Sequence, residues 1–301
     1  MKWPAALAVA VLLAFGACGG GDAGSTRTAS EVPPLRIGTK NFTEQFILGE
    51  LYEQALEAKG FRVVLKRNVG STEIIHQALL DGALDMYPEY VGVLLSEVAN
   101  RRMRPASPRA AYRAAEAFEA RNGFTLLATT PFSDSNALAV KPSYARRYGV
   151  RTIADLRQVP GTVRIGAPPE FRTRYEGLIG LARRYDIHNV EAVALPIGAQ
   201  YDALDEGRVD VAAVFTTDGQ LADRRYVLLE DPRGVFGTQH VAPIISRRAL
   251  RARGPRLEAT INAVSRRLTA RAMREMNAAV DLDGRRPRDV AAEFLRREKL
   301  R

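Results

Sequence analysis

A fifteen-residue pattern occurs twice in the chain, and this repeat constrains the fold more than any other feature of the sequence. One copy spans residues 76–90 and the other spans residues 201–215. Aligned without a gap, both contain Ala-Leu-x-x-Gly-x-(Leu/Val)-Asp and then an aromatic residue five positions after the Asp, which is Tyr90 in the first copy and Phe215 in the second. The repeat predicts two structurally similar units, with chance or a generic α/β pattern as the alternative.

Each copy predicts a helix end followed by a short strand. Gly82 and Gly207 stand where a helix commonly ends in the left-handed conformation. The tripeptide Arg-Ile-Gly precedes both copies, at 36–38 and 164–166, and each tripeptide begins a strand-to-helix unit. Open parallel sheets bind ligands at the carboxyl ends of their strands. We therefore expect two α/β halves that each place an aromatic side chain at a ligand site.

The N-terminal segment has the pattern of an export signal. Lys2 is followed by an apolar run over residues 3–15, and Gly-Ala then precedes Cys18. The apolar run is too short to span a bilayer of roughly 30 Å. Residues 1–18 are therefore predicted to be a signal peptide and to lie outside the folded domains.

Cys18 is the only cysteine of the chain, so the sequence contains no internal disulfide framework. Its setting resembles a bacterial lipoprotein signal in which the Cys is lipidated, although Phe15 replaces the usual Leu. Residues 19–34 are rich in Gly, Ser, Thr and Pro and predict a flexible tether. We expect a protein that is lipid-anchored on the extracytoplasmic face of a bacterial cell membrane, with an incidental Cys in a cleaved peptide as the alternative.

Composition and motifs exclude several functional classes. The net charge is +10, but the basic residues are scattered and are not interleaved with aromatic residues, so we predict a solvated Arg-rich surface and no nucleic-acid partner. The sequence contains neither Gly-x-Ser-x-Gly nor His-Glu-x-x-His, and it has 3 His and 1 Cys. We therefore expect no enzyme, no metal site and no cofactor.

Strand-like and helix-like segments alternate along the chain, which predicts a parallel sheet with helices on both faces. Near 129–136 and 239–243 the pattern indicates that the chain crosses to a second lobe and back. Lobe 1 is expected to contain residues 35–131 and 241–301, and lobe 2 residues 132–240, with a ligand cleft between them and a two-strand hinge. The principal predicted helices lie at 43–58, 72–81, 109–121 and 175–185, in a long segment through Leu257, Ile261, Val264 and Leu268, and at 287–297.

Five segments of the chain form a recognisable set. They are Ile37-Gly-Thr-Lys-Asn-Phe-Thr-Glu-Gln-Phe-Ile-Leu-Gly-Glu50, Gly70-Ser-Thr-Glu73, Asp85-Met-Tyr-Pro-Glu-Tyr-Val-Gly92, Glu170-Phe-x-x-Arg-x-x-Gly-Leu178 and Phe215-Thr-Thr-Asp-Gly219. This set resembles the osmoprotectant family of solute-binding proteins, the binding components of glycine betaine, choline and carnitine ABC importers. The resemblance implies a type II periplasmic-binding-protein fold, a monomer that closes over one solute without catalysis, and an ABC permease and ATPase as partners.

The resemblance also implies a ligand site. A quaternary ammonium has no N–H to donate and is recognised by aromatic ring faces, while a carboxylate is bound by Lys or Arg. In the family four tyrosines form the cage, an Asp assists, and a Lys, a Thr and an Arg hold the carboxylate. By motif, Lys40, Tyr90, Asp134, Arg174 and Phe215 fall at five of these positions.

Three positions depart from the family pattern. Val93 stands at the expected Thr, and Asn136 and Gln239 stand at two expected cage tyrosines. At about 1 kcal/mol per ring, the loss of two rings predicts about ten- to a hundred-fold weaker binding of a bare trimethylammonium. The two amides offer hydrogen bonds instead, so we expect a more polar or larger ligand than glycine betaine, with Asn136 and Gln239 in the site. A stand-alone extracellular sensor for an amino-acid-like solute is the alternative function.

Overall fold

The two halves predicted by the repeat form two five-stranded sheets with the same arrangement of strands. The computed structural model describes residues 32–100, 107–221, 225–237 and 239–301. The strands are β1 (Leu35–Lys40), β2 (Val63–Gly70), β3 (Met86–Tyr90), β4 (Phe124–Leu126), β5 (Asn136–Val140), β6 (Val163–Ala167), β7 (Val190–Ala194), β8 (Val211–Phe215), β9 (Val227–Leu228) and β10 (Val241–Ser246). The first sheet has the order β2-β1-β3-β10-β4, and the second has the order β7-β6-β8-β5-β9. The strands that end in Tyr90 and Phe215 thus occupy the central position of their sheets.

The helices cover the sheets and follow the predicted apolar pattern. They are α1 (Thr43–Glu57), α2 (Thr72–Leu80), the turn α3 (Val91–Val93), α4 (Pro108–Arg121), α5 (Pro142–Tyr148), α6 (Gly180–Tyr185), α7 (Ala199–Asp205), α8 (Arg247–Arg253), α9 (Pro255–Ser265), α10 (Ala270–Asp281) and α11 (Pro287–Arg297). Shorter 3₁₀ or π segments lie at Leu94–Val98, Ile153–Gln158, Pro169–Arg172, Tyr175–Ile179 and Gly219–Leu221. The helices α9, α10 and α11 pack on α1, so the C-terminal segment covers the first sheet as expected.

The repeated Arg and Asp make the same set of contacts in both halves. Arg36 donates from its backbone N and from Nε to Asp85 Oδ2, at 3.0 and 2.9 Å, and from Nη2 to Asp85 Oδ1 at 2.8 Å. Arg164 donates from the same three nitrogens to Asp210, at 2.9, 3.0 and 3.0 Å. The pairs join β1 and β6 to the loops before the central strands β3 and β8. A shared structural unit therefore explains the sequence repeat.

Both sheets are mixed, whereas the sequence predicted parallel sheets. β10 runs antiparallel to β3 and β4, and β5 runs antiparallel to β8 and β9. Strands β5 and β10 run antiparallel because the chain enters each of them from the other sheet. The two crossing segments pair with each other through the antiparallel bridge between Ser133 and His240, and Thr130 N donates to Val241 O at 2.8 Å.

Two predicted helices differ from the structure. The helix expected over 175–185 begins at Gly180, because Glu176 and Gly177 have non-helical backbone angles. The long C-terminal helix is two helices, since α9 ends at Ser265 and α10 begins after Thr269, whose side chain accepts from Ala272 N at 3.2 Å. Apolar spacing alone did not reveal this break, because the side chain of Leu268 stays buried after the helix has ended.

Some predictions concern residues beyond the described ranges. The signal peptide at 1–18, its Cys18 and residues 19–31 of the tether are among them. Within the described ranges, no helix combines the length and the apolar character that a membrane crossing requires. Residues 33–301 form one compact unit, and the lobe boundaries at 131/132 and 240/241 stay a prediction.

Candidate functional site

One cavity of about 90 Å³ brings together all the solute-binding residues predicted from the sequence. Its lining includes Lys40, Tyr90, Asp134, Asn136, Arg174, Phe215 and Gln239. Lys40, Tyr90 and Phe215 end strands β1, β3 and β8, and Asn136 begins β5. Strand ends of both sheets therefore meet at the cavity, as expected for this type of fold. That these side chains bind a solute stays a prediction.

Three stacked aromatic rings form one wall of the cavity. The Phe42 ring lies 6.1 Å from the Tyr90 ring and 5.2 Å from the Phe215 ring, centroid to centroid, with interplanar angles of 26° and 23°. Tyr90 and Phe215 thus line the same cavity, but Phe42 stacks on both of them. The ring of Phe171 also lines the cavity. Sequence reasoning missed Phe42, although it lies in the same family-like segment as Lys40, just before α1.

Lys40 is buried in an ion pair. Its ammonium donates to Glu89 Oε1 and lies 4.9 Å from the centroid of the Tyr90 ring. The Glu89 carboxylate also accepts from Tyr90 N at 2.6 Å and from the Tyr87 hydroxyl at 3.2 Å. Burial lowers the pKa of Lys40, and the adjacent Glu89 opposes that change. The Glu89 carboxylate therefore compensates the positive charge that Lys40 brings to the cavity.

Arg174 links the two sheets across the cavity. Its Nη2 donates to both carboxylate oxygens of Glu73 on α2, at 2.9 and 3.0 Å. Its Nε lies 3.8 Å from Glu97 Oε2, and this buried nitrogen has no hydrogen-bond partner among the described residues. Because a buried N–H without an acceptor is unfavourable, Arg174 Nε is a candidate donor to an acceptor group of a solute.

The two amides that replace the expected tyrosines hold a carboxylate that sequence reasoning missed. Asn136 Nδ2 donates to Glu176 at 2.7 Å, and Gln239 Nε2 donates to both oxygens of Glu176 at 3.0 and 3.1 Å. Gln239 Oε1 accepts from Val93 N at 2.9 Å. At Gly92, an added Cβ would lie 2.6 Å from Gln239 Oε1, so a glycine leaves room for this amide. Both polar groups of the Gln239 amide thus already have hydrogen-bond partners. Glu176 reaches the cavity because the predicted helix is broken at that residue.

Acidic groups lie in the cavity lining and next to it, around the Tyr90 hydroxyl. Tyr90 donates its hydroxyl to Glu44 at 2.8 Å, and the hydroxyl of Thr217 donates to the other oxygen of Glu44 at 2.6 Å. Burial, together with the charges of Glu44 and Asp218, raises the pKa of Asp134 well above its ordinary value. Since the two basic residues of the lining are each paired with a carboxylate, the remaining acidic groups favour a cationic ligand.

The chain is similar in sequence and fold to known solute-binding proteins. The family model described as the substrate binding domain of ABC-type glycine betaine transport system matches residues 33–297. The chain is 32% identical over 282 residues to a glycine-betaine-binding protein of Pseudomonas aeruginosa, and the match covers 90% of each chain. It is 26% identical over 275 residues, 90% of its own length, to the ergothioneine transport permease/ergothioneine binding protein EgtU of Helicobacter pylori, of which it spans 49%. A crystal structure of a glycine betaine/carnitine/choline ABC transporter matches with a TM-score of 0.71 and 25% identity, covering 88% of this chain and 99% of that one.

Proposed function

We propose that this protein, which belongs to the family of substrate-binding domains of ABC-type glycine betaine transport systems, captures a betaine-like zwitterion outside the cell and delivers it to a membrane permease. Membership of the family confirms the predicted osmoprotectant resemblance and the two-lobed periplasmic-binding-protein fold. It also identifies a solute-binding protein and not an enzyme. The nature of the solute, the lipid anchor, the monomeric state and the delivery step belong to the proposal.

The observation that carries the proposal is the aromatic wall beside acidic groups. Phe42, Tyr90 and Phe215 line a cavity that is also lined by Asp134 and Glu176, and Phe42 stacks on the other two rings. A methylated ammonium is stabilised by aromatic faces at about 0.5–2 kcal/mol per ring when it is desolvated, and the acidic groups add attraction for any cation. This wall is therefore the expected position of the ammonium group.

Another part of the cavity lining suits a carboxylate. Arg174 has a buried Nε without a partner among the described residues, and Ser71 and Thr72 line the cavity at the start of α2. Helix starts and guanidinium groups both favour anions. A solute with a cationic and an anionic end would satisfy both parts of the lining. This pairing favours a zwitterion over a simple cation such as choline.

The amides at Asn136 and Gln239 support a solute that is larger or more polar than glycine betaine. They hold Glu176 where two rings of the family cage are expected, so fewer aromatic faces remain for a bare trimethylammonium. Glu176 adds a negative charge to the lining, which attracts the cationic part of a more polar solute. The names of the relatives include both glycine betaine and ergothioneine, so both compounds belong in the test set.

Capture is proposed to occur by closure of the two lobes around the solute. The ion pair between Arg174 and Glu73 and the hydrogen bond between Thr217 and Glu44 join the two sides in the described conformation. A ligand that contacts both sides stabilises such a closed state. Anchoring through a lipidated Cys18 would keep the protein beside its permease. The alternative, a stand-alone sensor, predicts that no permease or ATPase gene accompanies this one and that its deletion leaves solute uptake intact.

Calorimetric titration tests the proposed solute class. Glycine betaine, carnitine, choline and ergothioneine are titrated into the protein. A zwitterion that is larger or more polar than glycine betaine is expected to bind most tightly. Phe215→Leu should weaken binding of the preferred solute about tenfold, while Phe61→Leu, a change outside the cavity, should leave binding unaltered. Equal affinity of the two variants, or sub-micromolar binding of glycine betaine, would contradict the proposal.

A further inference from the structure

We propose that a second chamber, which shares Phe42 and Phe215 with the first cavity, binds a cation that carries N–H donors. The chamber has a volume of about 170 Å³, and both rings line it as well as the first cavity. Its polar lining includes Glu44, Asp134, Thr217, Asp218, Asn277 and Asp281. The chamber therefore adjoins the aromatic cavity and shares Phe42, Phe215 and Asp134 with it, while the rest of its polar lining differs.

The chamber is acidic and lacks basic groups. Glu44, Asp134, Asp218 and Asp281 supply four carboxyl groups, and in the described part of the chain no Lys, Arg or His side chain lines it. Glu44 is 3% exposed and Asp134 is 4% exposed. Buried carboxylates are normally paired with a cation or kept protonated, because an isolated buried charge is very unfavourable.

The hydrogen-bond partners of these carboxyl groups are neutral. Glu44 accepts from the hydroxyls of Tyr90 and Thr217 and from Asn277 Nδ2 at 3.1 Å. Asp218 accepts from a backbone N–H and from a tyrosine hydroxyl, at 3.0 and 2.7 Å, and Asp281 accepts from a threonine hydroxyl at 2.6 Å. Each carboxylate oxygen has two lone pairs, so the cluster retains acceptor capacity. None of these partners supplies a positive charge.

An unused acceptor in the same chamber indicates the kind of ligand. Asn277 is 2% exposed, and its Oδ1 has no hydrogen-bond partner among the described residues. Its Nδ2 donates to Glu44 and to Thr217 O, which fixes the orientation of the amide. A buried amide oxygen without a donor is unfavourable, and an N–H of a bound ligand would supply the donor.

The same observations distinguish the ligand from other cations. Among the described residues, no group of three or more His, Cys, Asp or Glu side chains is arranged to hold a metal ion. A quaternary ammonium has no N–H for Asn277 and is stabilised by aromatic rings instead. Ammonium or a primary amine satisfies both the acidic cluster and the free amide oxygen. Asp281 is exposed, so its carboxylate can attract such a cation from solvent.

The amine could be a free ion or one end of a solute whose remainder fills the first cavity. Methylammonium chloride is the probe, titrated by calorimetry into the whole protein, with sodium chloride and tetramethylammonium chloride at equal ionic strength as references. Methylammonium is expected to bind and to raise Tm above both references. Asp281→Asn should weaken its binding about fivefold, because one exposed charge is lost, and Asp283→Asn, an exposed acid outside the chamber, should not.

Several outcomes decide the proposal. Binding of methylammonium that persists when the first cavity is saturated with its solute identifies a separate ion, while competition identifies a spanning solute. Release of protons to the solvent on binding, measured in two buffers of different ionisation enthalpy, supports a site whose carboxyl groups ionise when the cation binds. An effect of methylammonium no larger than that of either reference salt, or equal affinity of wild type and Asp281→Asn, overturns it. The titration does not use quaternary-ammonium binding, so failure of the proposed solute class leaves this test intact.

Discussion

Replacement of Glu89 tests the electrostatics of the site most directly. The Glu89 side chain is 0% exposed and that of Lys40, its partner, is 5% exposed. In Glu89→Gln the amide oxygen can still accept from Lys40 and from Tyr90 N, but the negative charge is lost. The variant therefore isolates the contribution of charge from that of shape.

Two routes give the same magnitude for this change. If Lys40 stays protonated without its partner, the uncompensated buried charge costs about 3–5 kcal/mol. If Lys40 instead loses its proton, an ordinary lysine pKa of about 10.4 makes the neutral form at pH 7 cost about 4–5 kcal/mol, at about 1.4 kcal/mol per pH unit. We expect Glu89→Gln to lower the free energy of unfolding by about 3–5 kcal/mol at pH 7.

The loss should depend on pH. Burial already lowers the pKa of folded Lys40, and Glu89 opposes this effect, so the variant lowers that pKa further. The unfolded chain then binds the proton of Lys40 more tightly than the folded protein does. Stability must therefore rise with pH between the folded and the unfolded pKa, by at most about 1.4 kcal/mol per pH unit. The deficit of Glu89→Gln relative to wild type should shrink between pH 7 and pH 9.

Urea unfolding of wild type and variant at pH 7 and pH 9 measures both effects. Glu119→Gln is the matched control, because Glu119 is a fully buried acid in the same half whose oxygens have no hydrogen-bond partner among the described residues. We expect this control to change stability by at most about 1 kcal/mol. A deficit of Glu89→Gln below about 1 kcal/mol at pH 7, or one that is constant with pH, would refute the reasoning about a compensated buried charge.

Two further changes test the fold around the site. In Gly177→Ala the new Cβ would lie 2.1 Å from Phe171 O, so the backbone must shift and displace Glu176. Urea unfolding should show a free energy of unfolding lower by about 1–3 kcal/mol. Calorimetry should show a loss of solute binding. Gly161→Ala, where only a φ of 75° disfavours alanine, should lose stability without losing binding, and retained binding in Gly177→Ala would contradict the assigned position of Glu176. Asp85→Asn should cost about 1–2 kcal/mol at pH 7 through lost charge-assisted bonds to Arg36. Burial raises the pKa of folded Asp85, but Arg36 outweighs this effect and holds that pKa below its ordinary value. The Asp85–Arg36 pair therefore stabilises the fold above the ordinary pKa of Asp, and this stabilisation must disappear as pH falls towards 2. If the stability difference between wild type and Asp85→Asn in urea were the same at pH 2 as at pH 7, the charge of Asp85 would not be its origin.

The sequence by itself determined the repeated architecture. Helix stops at Gly82 and Gly207, with φ of 69° and 74° in the structure, follow from local backbone preferences. The apolar stripe of α1 and the alternation of elements are likewise local patterns. The Arg and the Asp recur in both copies of the pattern, but only the structure shows that they pair in both halves. The helix ends and the alternation of elements could be predicted because neighbouring residues largely decide them.

The sequence also indicated residues that line one cavity, but not their contacts, and their role in binding stays a prediction. The motifs placed Lys40, Arg174 and Gln239 at one cavity, where the structure has them. The mixed direction of the sheets and the division of the C-terminal helix were missed, because long-range pairing and a single threonine cap decide them.

The tertiary structure alone decided which charges and rings meet. Lys40 and Glu89 are 49 positions apart, and Gln239 and Glu176 are 63 positions apart. Phe42 stacks on Tyr90 and Phe215, which lie in different sheets. Compensation of a buried charge depends on distance and on exclusion of water, and neither quantity is encoded in spacing along the chain. The residue types were therefore readable in the sequence, while the electrostatic character of the site required the fold.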